Sequence, residues 1–116
     1  MQTLNLLVLR CVDLERSRLF YELFGLAFER HKHANGPEHF AHEDHRGVFE
    51  LYPAKVATSP DMSGLGFAAA NLEVTWQQFA GRGHNPSPIV DNPWGRTFVL
   101  RDPDGRRVEV KESETR

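Results

Sequence analysis

DLERSRLFYELFG, residues 13–25, decides the fold of this chain. Asp13 is placed to cap a helix, Glu15 suits the positive end of the helix dipole, and Gly25 suits the left-handed position after its last turn. The same signals return in NLEVTWQQFAG, residues 71–81. In the first copy, apolar residues at three- and four-residue spacings predict one buried stripe, formed by Leu19, Phe20, Leu23 and Phe24.

Strand signals surround both helices in the same order. Asp13 and Asn71 lie 58 positions apart, and Glu50 and Glu109 lie 59 apart. Each half therefore reads as strand, helix and three strands, which predicts an α+β fold of two βαβββ modules in a single domain, 1–116. Module one is predicted at 3–53, a linker at 54–63 and module two at 64–112. The strand candidates are 4–11, 26–33, 38–44, 47–52, 64–70, 84–90, 96–101 and 106–111.

Composition limits the function classes. The chain has 116 residues, of which 40% are hydrophobic and 26% charged, as in an ordinary globular domain. A net charge of -2 does not indicate the positively charged surface that nucleic-acid binding requires. Cys11, the only cysteine, excludes an internal disulfide. No signal peptide is visible and no apolar run approaches the ~20 residues of a membrane span, so we expect a soluble cytoplasmic protein without nucleic-acid or membrane partners.

Two glutamates lie inside apolar strands. In RGVFELYP, residues 46–53, Glu50 shares a face with Val48 and Tyr52, opposite the side predicted to be buried. Glu109 lies between two valines near the C-terminus. A four-stranded unit has one face covered by its helix and the other bare. The repeat therefore predicts that both glutamates lie on the bare faces.

LRCVDLERSRLFYELFGLAF and WGRTFVLRDPDGRRVEV resemble the first strand and helix, and the last hairpin, of the vicinal oxygen chelate superfamily. That superfamily includes glyoxalase I, extradiol dioxygenases and bleomycin resistance proteins. The resemblance implies modules whose mixed sheets curl around a shared cavity, and a homodimer. In its metalloenzymes each module gives one ligand from its first strand and one from its fourth. Here Glu50 and Glu109 occupy the fourth-strand positions, but Leu6 and Gly64 replace the usual first-strand ligands.

Five of the six histidines lie between residues 31 and 45, a run typical of a solvated hairpin. A two- or four-residue turn around His45 and Arg46 would pair Ala41 with Glu50. His39 would then oppose Tyr52 and face the cavity, as an acid/base group, a ligand-binding residue or a substitute metal ligand. A three-residue turn would reverse this parity.

Other residues are predicted to line the cavity. The resemblance implies that Arg10 binds a substrate carboxylate, whereas a surface or interface arginine is the alternative. A four-residue loop at DPDG would pair Phe98 with Glu109 and put Arg96 on the same face. Trp94 would form an aromatic wall or a core contact, and Tyr52 would supply stacking surface.

Two functions compete. The first is a small-molecule binding or sequestering protein, with no cofactor and without the usual metal centre. The alternative is a glyoxalase- or dioxygenase-like enzyme in which Glu50, Glu109 and His39 bind Mn, Fe, Ni or Zn and act in catalysis. A third interpretation keeps both glutamates only as partners of arginine or histidine.

Overall fold

The computed structural model describes residues 2–55 and 62–114, so most of the predicted linker lies outside the described residues. The chain divides near residue 59 into two units, and each is described by itself. The first unit contains β1 (Leu6–Cys11), α1 (Leu14–Glu22), β2 (Glu29–His31), β3 (His39–Asp44) and β4 (Gly47–Pro53). The second contains β5 (Gly64–Ala69), α2 (Leu72–Gly81), β6 (Val90–Asn92), β7 (Gly95–Arg101) and β8 (Arg107–Glu112).

Each unit has one four-stranded mixed sheet. The strand order is β1-β4-β3-β2 in the first and β5-β8-β7-β6 in the second. The pairs β1–β4 and β5–β8 are parallel, and the other neighbours are antiparallel. The α+β class and the two βαβββ modules are therefore confirmed. The cavity between the modules stays a prediction, and the site below is described within the first module.

Both helices begin as their capping residues predict. The Asp13 carboxylate accepts from the backbone N–H of Arg16, and the Asn71 side chain accepts from that of Val74, each at 3.1 Å. The buried stripe of α1 differs from the prediction, because Leu19 is 49% exposed. The residues that α1 buries are Ser17, Phe20 and Tyr21. Within the described residues, neither helix is long and apolar enough to cross a membrane.

The helix of each module covers one face of its own sheet. In the first module the ring of Tyr21 on α1 contacts the ring of Phe49 on β4, with centroids 5.1 Å apart. Because side chains alternate along β4, Glu50 points to the face that α1 leaves uncovered. The buried hydrophobic residues of the sheets are Leu9, Cys11, Phe40, Ala41 and Leu51 in the first module, and Ala69, Phe98, Leu100, Val108 and Val110 in the second.

The β3–β4 hairpin has the predicted register. Asp44 pairs with Gly47 across a two-residue turn, so Ala41 lies opposite Glu50. Gly47 has a φ of +141°, and a Cβ there would collide with the carbonyl oxygen of Asn5. That oxygen accepts from the backbone N–H of Val48 at 2.8 Å. A glycine is therefore required where β4 begins.

The β7–β8 hairpin differs from the prediction by one residue. The backbone N–H of Asp102 donates to the carbonyl of Arg106 at 3.0 Å, which leaves three residues, 103–105, in the turn. The buried Asp102 carboxylate accepts from the backbone N–H of Asp104 and of Arg106, and lies 3.1 Å from the Arg106 guanidinium. The four-residue loop was therefore wrong. As a result Glu109 pairs with Val99 instead of Phe98.

Candidate ligand-binding site

A row of four side chains crosses the uncovered face of the first sheet. Arg10 on β1 is the neighbour of Tyr52 on β4. His39 on β3 stacks on Tyr52, and His31 on β2 pairs with His39. The predicted opposition of His39 and Tyr52 is thus confirmed. The row brings a cation, a phenol and two imidazoles together on one surface.

Tyr52 lies at the centre of this row. The His39 ring is parallel to the Tyr52 ring within 7°, with centroids 4.2 Å apart. The Arg10 guanidinium carbon lies 4.9 Å from the Tyr52 centroid, which is within the range of a cation–π contact. Because β1 and β3 flank β4, these two partners approach the phenol from neighbouring strands on either side. The Tyr52 ring is therefore held in place by strand-borne groups.

Glu50 lies in the next row of the same face. Its neighbours across the sheet are Val8 on β1 and Ala41 on β3, neither of which offers a hydrogen bond from its side chain. The Glu50 side chain is 20% exposed, and its Oε2 lies 3.7 Å from Nε2 of His39. The carboxylate is thus half-shielded from water and faces an imidazole.

His39 is the buried polar centre of the site. It is 1% exposed. Its Nδ1 lies 3.3 Å from the carbonyl oxygen of Pro37, and its Nε2 has no hydrogen-bond partner among the described residues. If Nδ1 donates to Pro37, Nε2 is an acceptor that faces the Glu50 carboxylate. Two acceptors 3.7 Å apart call for a proton, a cation or a ligand donor between them.

The uncovered face of the second sheet has different chemistry around its glutamate. Glu109 has Gly66 on β5 and Val99 on β7 as neighbours. Its side chain is 34% exposed, and Oε2 lies 3.9 Å from Nη2 of the exposed Arg107. The matching glutamate is therefore more open to solvent than Glu50 and has a surface arginine as its ionic neighbour.

Arg96 and Phe98 do not lie on the face of Glu109, so that part of the prediction was wrong. Phe98 pairs with Val110 and is fully buried in the core on the helix side. The Arg96 guanidinium lies 2.7 Å from Glu73 on α2 and 2.9 Å from Glu112 on β8. The physical reason is the shorter turn, which shifts the β7 register by one residue and so exchanges its two faces.

The ion pairs of Arg96 shift pKa values at the edge of the second sheet. The hydrogen bond from Arg96 lowers the pKa of Glu73 below its ordinary value, and the same bond raises the pKa of Arg96. Arg96 therefore connects α2 to the sheet.

Trp94 is 59% exposed, which excludes the core contact that was its alternative.

Two histidines that the sequence interpretation assigned to a solvated hairpin belong beside the row. His31 is the last residue of β2 and pairs with His39, and His33 follows two residues after the strand. Each of these three histidines offers a ring nitrogen within 4.8 Å of the others. The available signal was the HxH spacing on a strand next to the strand of His39.

A small pocket also opens beside His39. Its volume is about 200 Å³, below the roughly 300–1,000 Å³ of pockets for drug-sized ligands. The open row is therefore the better candidate for a ligand of that size. The pocket is lined by Leu14, Glu15, Arg30, Glu38, His39 and Phe40.

The family model for the Glyoxalase/Bleomycin resistance protein/Dioxygenase superfamily matches residues 3–110. The chain therefore belongs to this superfamily. Members and neighbours include antibiotic-binding, glyoxalase and dioxygenase proteins. The comparison with curated proteins finds no match.

Several solved structures share the fold at low sequence identity. The antibiotic-binding protein TnmS3 from Streptomyces sp. CB03234 has a TM-score of 0.77 and 18% identity, covering 98% of both chains. Lactoylglutathione lyase from Agrobacterium tumefaciens has a TM-score of 0.70 and 20% identity, covering 97% of this chain and 95% of the other. A bleomycin-binding protein complexed with bleomycin has a TM-score of 0.68 and 17% identity, covering 98% and 100%.

Proposed function

We propose that this chain is a small-molecule binding protein of the bleomycin-resistance type, whose ligand lies on the uncovered face of the first sheet. The observation that carries the proposal is the row in which Tyr52 lies between Arg10 and His39, with Glu50 beside it. The half-buried Tyr52 ring, held between these two partners, offers an aromatic edge to a ligand, and Arg10 and Glu50 offer opposite charges at its sides.

The chemistry of this face defines a ligand class. A planar molecule would lie against the half-buried rings of Tyr52 and His31, an anionic group on it would bind the exposed Arg10, and an N–H or O–H donor would bind Glu50 and Nε2 of His39. The polar groups are few and held by strands, as in sites that orient a ligand. We therefore propose a planar molecule that carries a negative charge and a hydrogen-bond donor.

The proposal includes the loss of the family's usual metal centre. The first-strand neighbours of the glutamates are Val8 for Glu50 and Gly66 for Glu109. Leu6 and Gly64, two residues earlier on the same faces, offer no ligand atom from a side chain either. Carboxylates without nitrogen partners from the first strand make a poor site for a transition metal.

A ligand screen tests the proposal. EDTA-treated protein is screened by thermal shift against planar aromatic acids, their methyl esters and matched aromatic cations, and hits are measured by calorimetry. We expect binding by acids that carry a donor group. Arg10→Gln removes a charge-assisted hydrogen bond of roughly 1.5–3 kcal/mol and should weaken binding about tenfold or more. Tyr52→Leu removes the aromatic contact and should weaken the binding of all planar acids.

The matched control is Arg107→Gln, which removes an exposed arginine from the second sheet and should leave the affinity unchanged. The proposal fails if no planar acid binds, or if the hits bind Arg10→Gln and Tyr52→Leu as well as the wild type. Light scattering of the same samples tests the expected homodimer.

A second candidate function is a divalent-metal-dependent, glyoxalase- or dioxygenase-like enzyme. The observation that favours it is the buried Nε2 of His39, which faces the Glu50 carboxylate at 3.7 Å. Nitrogen and oxygen ligands of one tetrahedral ion lie at about this separation. In this candidate the ion would polarise a substrate oxygen, and a glutamate would transfer a proton.

Metal analysis separates the two candidates. The untagged protein is incubated with Mn, Fe(II), Ni or Zn, desalted and analysed for bound metal, beside Glu50→Ala and Glu109→Ala. The enzyme candidate predicts one ion for each chain that both variants lose. The binding-protein proposal predicts that no ion depends on either glutamate.

A further inference from the structure

We propose a second site, for a borderline divalent cation such as zinc or nickel, formed by the three imidazoles of His31, His33 and His39. It shares His39 with the proposed ligand site but goes beyond it, because its other ligands lie at the β2–β3 end of the first sheet and neither glutamate is included. Ligand atoms of the three rings lie within 4.8 Å of one another. Nitrogen ligands around a tetrahedral zinc, each bonded at about 2.0–2.1 Å, lie about 3.4 Å apart, so small side-chain rotations would close the site.

The backbone brings these rings together without a loop contribution from elsewhere in the chain. His31 pairs with His39 across β2 and β3, which places both on the uncovered face. His33 follows His31 by two residues and lies on the same side, with its ring centroid 5.3 Å from that of His39. The ring centroids of His31 and His33 are 6.0 Å apart. Three imidazoles therefore converge from one short hairpin.

The buried ring is prepared for a metal as ligating histidines usually are. His39 is 1% exposed, and the carbonyl oxygen of Pro37 lies 3.3 Å from its Nδ1. A ligating histidine typically donates its other ring N–H to such a carbonyl, which fixes the tautomer and the orientation of the ring. Nε2 is then an unprotonated ligand atom, and it has no hydrogen-bond partner among the described residues. A cation would satisfy this nitrogen.

The ligand set selects the class of ion. Imidazole nitrogens suit zinc, copper and nickel, whereas magnesium and calcium prefer oxygen. Three histidines leave a fourth tetrahedral position open to water or to another donor. Glu50, in the next row of the same face, places its carboxylate 3.7 Å from Nε2 of His39. On the outer side Glu29 lies 3.4 Å from Nε2 of His31 and adds negative charge.

Metal titration of the untagged, EDTA-treated full chain tests the site. Zn²⁺ binding is followed by calorimetry, and Co²⁺ is used as a spectroscopic probe whose visible absorption bands report tetrahedral coordination. We expect one equivalent of either metal for each chain. His31→Ala and His33→Ala each remove one ligand and should lower the affinity at least about tenfold and change the Co²⁺ spectrum.

Two control variants make the assignment specific. His45→Ala removes an exposed histidine from the β3–β4 turn, outside the three-histidine set, and should leave binding unchanged. Glu50→Ala removes the glutamate of the family's metal position and should change the affinity much less than His33→Ala does.

Three outcomes would overturn the proposal: no binding of either metal, binding unchanged in both His31→Ala and His33→Ala, or binding lost in Glu50→Ala as in a centre of the usual type. Failure here is distinguishable from failure of the proposed ligand site. The ligand screen uses metal-free protein with changes at Arg10 and Tyr52, and neither residue belongs to the three-histidine site.

Discussion

Equivalent rows of the two sheets carry different side chains on the same backbone. In the first sheet the row reads Arg10, Tyr52, His39 and His31. In the second sheet the equivalent row reads Ala68, Lys111, Thr97 and Val90. The next row contains a glutamate in both. The comparison shows that the repeat duplicates the scaffold and its carboxylate, whereas the rings and the buried imidazole belong to the first module alone.

The turns that precede β4 and β8 should show the largest difference between the modules in their contribution to the free energy of unfolding. Asp102→Ala removes the nearer carboxylate of the buried Arg106 guanidinium and leaves it the ion pair with Asp104 at 3.6 Å. Removing one partner of a buried pair costs about 3–5 kcal/mol of unfolding free energy. Asp44→Ala removes the equivalent turn aspartate, which is near the surface, and should cost far less. Urea unfolding of both variants measures the contrast. Equal losses would show that the buried pair does not stabilise its turn.

A comparison of two glycines should give the next largest effect. Gly47→Ala combines a positive φ with a collision against the backbone of Asn5, so we expect a loss of about 3 kcal/mol. Gly105→Ala has a φ of +88° but open space around the new Cβ, and we expect about 1 kcal/mol from backbone strain. Thermal and urea unfolding report both. If the two losses are alike, the close contact with Asn5 is not the reason that position 47 requires a glycine.

Truncating the row itself tests whether its first-module side chains also stabilise the fold. His39→Ala removes a buried ring stacked on Tyr52 and should cost about 2 kcal/mol. Thr97→Ala, at the equivalent place, loses the 2.9 Å hydrogen bond from Asn92 and should cost about 1 kcal/mol. His39→Phe keeps the stacking ring without its nitrogens. If it is as unstable as His39→Ala, the ring nitrogens matter to the fold.

The smallest effect concerns the first-turn glutamates of the helices. Arg96 lowers the pKa of Glu73, whereas the equivalent Glu15 has its pKa lowered by Arg18 of its own helix. We expect Arg96→Gln to return the pKa of Glu73 toward its ordinary value of 4.5 and to leave Glu15 unchanged. Carboxyl-carbon NMR titration measures both groups. A shift in Glu15 as well would contradict a local effect.

This pKa change also sets the direction of a pH effect on stability. A carboxyl group whose pKa is lowered by folding contributes stability above its unfolded pKa and loses it as the pH falls through the folded value. The wild type should therefore lose slightly more stability than Arg96→Gln on acidification below about pH 4.5. Both groups of the pair are at the surface, so the difference will be small.

Local signals were sufficient for most of the fold. Capping residues predicted both helices, and hydrophobic periodicity supported the first, because these properties depend on near neighbours in the chain. The repeat of these signals predicted the two modules. The strand candidate 84–90 was misplaced, since β6 begins at Val90. Pro86 and Pro88 cannot donate hydrogen bonds to a ladder, and the strand starts after them.

The site was only partly predictable, because strand register depends on turn length. The two-residue turn at His45 and Arg46 gave the correct face for His39. At the second hairpin the spacing of 58 positions, applied to Ala41, leads to Val99 as the partner of Glu109, which is the observed pair. The repeat therefore contained the correct register, but the prediction relied on a four-residue turn at DPDG instead.

The single extra residue of the second module lies in the turn between Asp102 and Arg106, outside the paired parts of β7 and β8. The hairpins that end at Pro53 and Glu112 are therefore interchangeable building blocks, with ladders that match residue for residue. For protein engineering, the first hairpin could be grafted onto the second sheet without a change of register. Such a chimaera would display the stacked rings twice and would separate what the scaffold contributes from what the side chains contribute.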